Sequence, residues 1–243
     1  MMFDLDGTLA DTGRDLANSV NYTRGQFELA SLAPYSVYRH IGRGVDHLLK
    51  HAIPELGQDH FEKIRHIFLG HYEEHLLDQT TLYPGIRKLL DDFSGKRRAV
   101  VSNKIYRLAL KLLQGLGVEN CFDAVFGGDS AADKKPHPAL LNAALTKFGL
   151  PATGALMVGD GDIDIEAGKR AGVMTCGVTY GLGDKNDLIA AHPDVIINQP
   201  IDTAAIKKMR TDVLQASFLS IVGLVDLDEA FNVFSMPFFI ETP

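Results

Sequence analysis

The chain has 243 residues, 46% of them hydrophobic, enough to fill one large domain or a domain with a smaller lid. A formal net charge of −7 leaves no general excess of positive charge for nucleic-acid phosphates or an anionic membrane surface, so an anionic substrate must be met by a few local donors or a metal. The longest charge-free apolar run, residues 213–225, falls short of the roughly 20 residues a bilayer requires. The two cysteines, Cys121 and Cys176, lack the spacing of a zinc or redox site and read as reduced, buried thiols.

The N-terminus opens directly on Met1-Met2-Phe3-Asp4 with no basic and apolar leader, which predicts a cytoplasmic protein. Asp4-Leu5-Asp6 places two carboxylates at i and i+2 on one side of a strand end, followed by Gly7 for a tight turn and by Thr8. Only three residues precede Asp4, whereas strands commonly run about five or six. A clipped first strand, or a start further upstream, is therefore expected. Over residues 14–81, Leu16, Val20, Phe27, Val45, Leu48, Leu49, Ile64, Ile67 and Phe68 recur at helical spacing. This segment is predicted to be an all-helical cap inserted after the first strand and lying over the sheet.

From Tyr83 the pattern changes to short β-branched runs separated by amphipathic stretches: 98–102, 123–126, 155–159 and 194–197. That alternation predicts an α/β fold with a doubly wound, parallel, Rossmann-like sheet. Pro138 suits a first helical turn, and Gly117, Gly149 and Gly172 suit helix exits. The expected division is an α/β core from 1–13 and 82–208, the cap from 14–81, and an atypical apolar tail from 209–243. The tail carries Phe218, Phe231, Phe234, Phe238 and Phe239.

Ligands of open parallel sheets bind outside the carboxyl ends of the strands, which directs attention to Asp4, Asp6, Ser102, Lys134, Lys135, Asp160 and Asp164. Adjacent carboxylates do not both ionise comfortably without a cation. Asp4 and Asp6, joined by Asp160 and Asp164 at the start of the next helix, make a setting for an oxygen-liking divalent metal, and Mg2+ suits it. The competing reading leaves Asp160 and Asp164 as stabilisers of a helix N-terminus. Ser102 has a rival role as a strand-ending turn residue, Lys135 as a solvated surface lysine with Lys134 in its place, and Thr8 and Asp11 as helix-entry residues. In the cap, Arg43 between Gly42 and Gly44 is either a surface arginine or a cation that recognises a substrate carboxylate or phosphate. Seven of the nine histidines also fall in the cap. His47/His51 and His71/His75 stand at i, i+4, a spacing that binds zinc when a third ligand converges. No His-Glu-x-x-His pattern is present, and solvated helix histidines are the preferred reading.

Asp4-x-Asp6-Gly7-Thr8-Leu9-x-Asp11, Ser102, Lys135-Pro136 and Gly159-Asp160-x-x-x-Asp164 occur in the order of the four motifs of the haloacid dehalogenase-like superfamily, which the chain resembles from residue 3 to about 205. Ile41-Gly42-Arg43-Gly44-Val45, Val101-Ser102-Asn103-Lys104, Gly127-Gly128-Asp129-Ser130, Lys134-Lys135-Pro136-His137-Pro138 and Val178-Thr179-Tyr180-Gly181 resemble its phosphoglycolate phosphatase branch. The resemblance implies a magnesium-dependent phosphatase of a small phosphorylated metabolite, 2-phosphoglycolate first among them. It implies Asp4 as nucleophile and Asp6 as general acid and then base. Ser102 would be the donor to a phosphoryl oxygen and Lys135 the neutralising cation. Mg2+ would lie on Asp4, the Asp6 backbone carbonyl and Asp160, with Asp164 orienting the shell. Thr8, Asn103 and Arg43 would face the substrate. A phosphomutase using the same aspartyl phosphate remains an alternative, as does a catalytically silent partner-binding protein; a dehalogenase needs neither Asp6 nor a metal. No nucleic-acid or membrane partner is expected, and the oligomeric state stays open.

Overall fold

A computed structural model of the chain describes residues 1–200 and 202. The expected apolar tail, 209–243, lies outside the described residues. In chain order the elements are β1 (Met2–Phe3), β2 (Ala10–Asp11), α1 (Gly13–Gly25), α2 (Pro34–Tyr38), α3 (Val45–Ala52), α4 (Phe61–His75), β3 (Thr81–Leu82), α5 (Ile86–Asp92), β4 (Ala99–Val101), α6 (Tyr106–Gly115), β5 (Ala124–Phe126), α7 (Ala139–Phe148), β6 (Leu156–Gly159), α8 (Asp162–Ala171), β7 (Met174–Val178), α9 (Lys185–Ala190) and β8 (Val195–Ile197).

Six strands form one sheet in the order β5-β4-β1-β6-β7-β8, and every adjacent pair is parallel. The order reverses direction at β1, so the crevice that binds ligands in such sheets opens at the ends of β1, β4 and β6. β1 is only two residues long, yet the ladder continues past it: Ala99 N donates to Met1 O and Asp4 N to Val158 O, both at 2.9 Å. Successive residues point to opposite faces. Phe3, Val100 and Val158 join one apolar layer, and Met2, Ala99, Val101 and Met157 join the other. Side chains of α5 and α6 fill the first layer, and those of α7 and α8 the second. Two helix-covered faces explain why these strands read as continuous apolar runs.

The chain leaves the sheet through β2 and returns through β3, which pair antiparallel as a two-stranded ribbon. Between them lie α1–α4. Leu16 and Val20 of α1, Leu48 and Leu49 of α3, and Ile64, Phe68 and Tyr72 of α4 share the apolar layer of α5 and α6, so these helices pack on the sheet side that holds Phe3. The buried Asp15 carboxylate of α1 accepts from Gln79 N, Thr80 N and the Thr80 hydroxyl. These bonds tie the first helix to the segment entering β3. The sequence runs did not single out β7, β2 or β3 as strands. Gly149 and Gly172 close α7 and α8 in the left-handed conformation expected of helix exits. Among the described residues no helix is long and apolar enough to cross a membrane.

Candidate active site

Asp4 follows β1 directly, and after Leu5 and Asp6 the chain turns sharply at Gly7, whose φ is +83°. Only glycine fits there, because a Cβ would lie 2.0 Å from Asp160 Oδ2. The turn is closed by Gly7 N donating to Ala10 O and by Leu9 N and Ala10 N both donating to Leu5 O. Asp160 ends β6. Its Oδ1 accepts from the Thr8 hydroxyl at 2.8 Å, and its Oδ2 from the Leu182 and Gly183 amides at 2.9 Å each. Asp164, in the first turn of α8, accepts from Gly161 N at 3.0 Å and from Lys135 Nζ at 2.6 Å.

Carboxylate oxygens of Asp4, Asp160 and Asp164 come within 4.8 Å of one another, and all three residues are buried. One cation serves two of them: Lys135 Nζ stands 3.0 Å from Asp4 Oδ1 and 2.6 Å from Asp164 Oδ1. Lys134, one residue earlier, instead runs beneath Gly44 of the cap loop. Burial by itself lowers the pKa of the Lys135 ammonium, but Asp164 and Asp4 outweigh it and hold the pKa above its usual value. Asp4 and Asp164 share that one lysine, and among the described residues Asp160 has only hydroxyl and amide donors. Burial and then the Asp4 charge push Asp160 up to about 6, and burial likewise raises Asp164. Asp4 Oδ1 is buried and accepts no well-directed hydrogen bond among the described residues, because the nearby ammonium offers charge without alignment. An all-oxygen, net-negative cluster with an orphaned oxygen fits a hard divalent cation.

Asp6 occupies a separate niche. Its Oδ1 accepts from the Thr12 hydroxyl at 2.7 Å and from Lys104 Nζ at 2.8 Å, and its Oδ2 lies 3.1 Å from the same ammonium. Lys104 also donates to the Tyr72 hydroxyl of α4 at 2.8 Å, and burial pushes that phenol up to about 12. Lys104, Tyr72 and Thr12 were not singled out by the sequence. Their only signal was the position of Lys104 two residues beyond Ser102. Ser102 is buried at the end of β4, and its hydroxyl oxygen accepts from Lys104 N at 3.3 Å.

The cleft holds about 80 Å³ and is lined by Asp4, Asp6, Asp160 and Asp164 from the sheet side and by Arg39, Ile41, Gly42 and Arg43 from the cap loop. An adjoining apolar recess reaches between α3 and α4 to Lys104 and shares Asp6, Ile41 and Gly42 with it. The Arg43 guanidinium crosses the cleft to Asp162 at 2.5 Å. Arg39 joins it as a second cleft-lining cation that the sequence did not single out. Thr8 spends its hydroxyl on Asp160 rather than facing the cleft. Asn103 donates to Gly42 O and Lys135 O and accepts from Lys135 N, which couples the cap loop to the lysine loop. Asp11 is exposed and accepts from Gly13 N at the entry to α1.

A family model for haloacid dehalogenase-like hydrolases matches residues 1–178. The phosphoglycolate phosphatase of Aquifex aeolicus is 36% identical over 204 residues, 83% of this chain and 93% of the relative. That of Colwellia psychrerythraea is 34% identical over 197 residues, 77% of this chain and 87% of the relative. The crystal structure of a predicted phosphoglycolate phosphatase from Haemophilus somnus 129Pt superposes with a TM-score of 0.81 at 33% identity, covering 85% of this chain and 96% of that one.

Proposed function

The chain belongs to the haloacid dehalogenase-like hydrolases and is a phosphoric monoester hydrolase, and on that premise we propose that it hydrolyses 2-phosphoglycolate, with Mg2+ as cofactor and Asp4 as nucleophile. The observation that carries this reading is the setting of Asp4. It is a buried carboxylate at the end of the central strand, beside the Lys135 ammonium and with one oxygen lacking a directed hydrogen bond among the described residues, in a cleft that Arg39 and Arg43 also line. A small cleft with cations on its cap side suits a small ester that bears a second anionic group. The relatives named phosphoglycolate phosphatase support that choice of substrate.

Phosphoryl transfer asks mainly for positioning and charge stabilisation. The Asp4 carboxylate attacks phosphorus, the bond from phosphorus to the alkoxide oxygen breaks, and Asp6 gives that oxygen a proton. Water then attacks phosphorus while passing its proton to Asp6, and the bond to the Asp4 oxygen breaks to release phosphate. Thr12 and Lys104 hold Asp6 in one orientation through both halves. The Ser102 hydroxyl keeps its proton for a phosphoryl oxygen, since its oxygen is the acceptor toward Lys104 N. Lys135 neutralises charge between the nucleophile and Asp164. When bound, Mg2+ would supply charge neutralisation and orientation for the ester. Asp4, the Asp6 backbone carbonyl and Asp160 would hold it, and Asp164 would orient that set.

Phosphate release with Mg2+ across 2-phosphoglycolate, glucose phosphates and nucleoside monophosphates tests the proposal. The expected result is the highest kcat/KM for 2-phosphoglycolate and background turnover by a folded Asp4→Asn variant. A preference for sugar phosphates would refute the substrate, and substantial activity in folded Asp4→Asn would refute the covalent route.

A further inference from the structure

The cap carries a second cluster of metal-ligating side chains that the phosphatase site does not use. His40, in the loop after α2, and His47 and His51, one turn apart on α3, each bring a ring nitrogen within 4.8 Å of the others. Sequence spacing offered only the His47/His51 pair, and the fold supplies the third imidazole by stacking His40 on His51. We propose that these three histidines bind a zinc-class divalent transition metal, which clamps together the two ends of the cap loop that bears Arg43.

Ring chemistry favours such an occupant. His51 Nδ1 lies 2.8 Å from the His47 backbone carbonyl. A carbonyl oxygen only accepts, so Nδ1 carries the proton and the Nε2 lone pair is left for a metal. Ligating histidines commonly have their other ring nitrogen held in this way. His47 Nδ1 is buried with no hydrogen-bond partner among the described residues, a costly state that coordination would relieve. The ring centroids stand 4.1 to 5.9 Å apart. Burial and then the neighbouring imidazoles lower the pKa of His40 and His47 and favour the neutral form that binds metal. An all-imidazole set suits Zn2+, Ni2+ or Cu2+ rather than Mg2+. Tetrahedral zinc, with Zn–N of 2.0–2.1 Å, places ligand nitrogens about 3.3 Å apart, and rotation of these partly exposed rings closes the remaining distance.

Position gives the site a consequence. His40 precedes and His47 follows Ile41-Gly42-Arg43-Gly44, a loop whose Gly42 and Gly44 take φ of +96° and +90°. Gly42 O accepts from Asn103 of the core, and Arg43 pairs with Asp162. A metal joining the loop's two ends reduces the freedom of the segment that closes the cleft.

The test uses the full chain without a polyhistidine tag, stripped by chelator and then held in saturating Mg2+ so that the carboxylate cluster keeps its own ion. Zinc is titrated against a chromogenic chelator, with the melting temperature followed in parallel. The expected result is one zinc per chain, a raised melting temperature, and an affinity that falls roughly tenfold or more in His40→Ala and in His51→Ala. His75→Asn should leave the affinity unchanged, because the His71/His75 pair gathers no third ligand among the described residues. His51 is exposed, and a melt without zinc confirms that its replacement leaves the fold intact. Zinc affinity unchanged in both alanine variants, or zinc displaced by added Mg2+, would overturn the site.

Discussion

Replacing Lys135 by methionine keeps the apolar stem of the side chain and removes only its charge. The ammonium lies 3.0 Å from Asp4 Oδ1 and 2.6 Å from Asp164 Oδ1, and none of the side chain is exposed. Removing one partner of a buried ion pair costs about 3–5 kcal/mol, because the remaining charge is left buried and uncompensated. For a chain of this size each kcal/mol corresponds to about 2–4 °C, so the melting temperature in chelator should fall by roughly 10 °C. Burial already raises the pKa of Asp160 to about 6 and raises that of Asp164. A carboxylate whose folded pKa is raised takes up protons on folding, and its penalty grows as pH rises through that value. The loss should therefore be larger at pH 8 than at pH 5.5. Mg2+ bound at the same carboxylates would supply positive charge and should recover a large part of the loss. Thermal melts of both proteins, with chelator and with Mg2+ at each pH, read all three effects. A fall of less than about 2 °C in chelator, or an equal fall with and without Mg2+, would show that Lys135 does not compensate the cluster.

Asp6→Asn should slow alkyl phosphate ester hydrolysis by roughly 10²–10⁴-fold and slow nitrophenyl phosphate much less, because nitrophenolate leaves without a proton. Equal losses on both esters would remove Asp6 from proton transfer. Excess chelator should abolish phosphate release, and Mg2+ should restore it better than Ca2+, which prefers longer, looser oxygen shells; full activity in chelator would point to a metal-free reaction. Arg43→Ala should weaken kcat/KM for carboxylate-bearing esters selectively over featureless ones. It should barely change the melting temperature, because the Arg43–Asp162 pair is 40% and 27% exposed and such pairs contribute about 0–1 kcal/mol. Equal kinetic losses on both ester classes would make Arg43 a structural residue.

Asp4, Asp6, Ser102, Asp160 and Asp164 were legible as neighbours because each ends a strand or opens the helix after it, and a parallel sheet gathers such ends at one edge. β7 was missed because in Met174–Val178 Cys176 and Gly177 separate its two β-branched residues, Thr175 and Val178. β2 and β3 are two residues each, too short for any periodicity. Thr8 reads locally as a helix-entry residue. Its hydroxyl nevertheless goes to Asp160, 152 positions away, a partner that no local pattern predicts. Tyr72 reads as one more apolar position of a cap helix, and its contact with Lys104 exists only because α4 lies over the end of β4. His40 stands seven residues before His47, but α2 ends at Tyr38 and α3 starts at Val45, so the two meet through the bend of the intervening loop rather than along one helix face.

Hydrophobic patterning was enough to mark β1, β4, β5, β6 and β8 as strands of a parallel sheet, to mark residues 14–81 as helical, and to bring Asp4, Asp6, Asp160 and Asp164 to one edge of that sheet. Those properties follow from hydrophobic period and from one rule of topology. Contacts between distant segments alone revealed Lys104 at Asp6 and Arg43 at Asp162, and they put Lys135, the lysine that the motif implied, at Asp4 and Asp164. Side chains of like charge one or two residues apart are equivalent in sequence. What separates them is the direction each leaves the backbone and the water each loses on burial, and both are set by contacts between segments far apart in the chain.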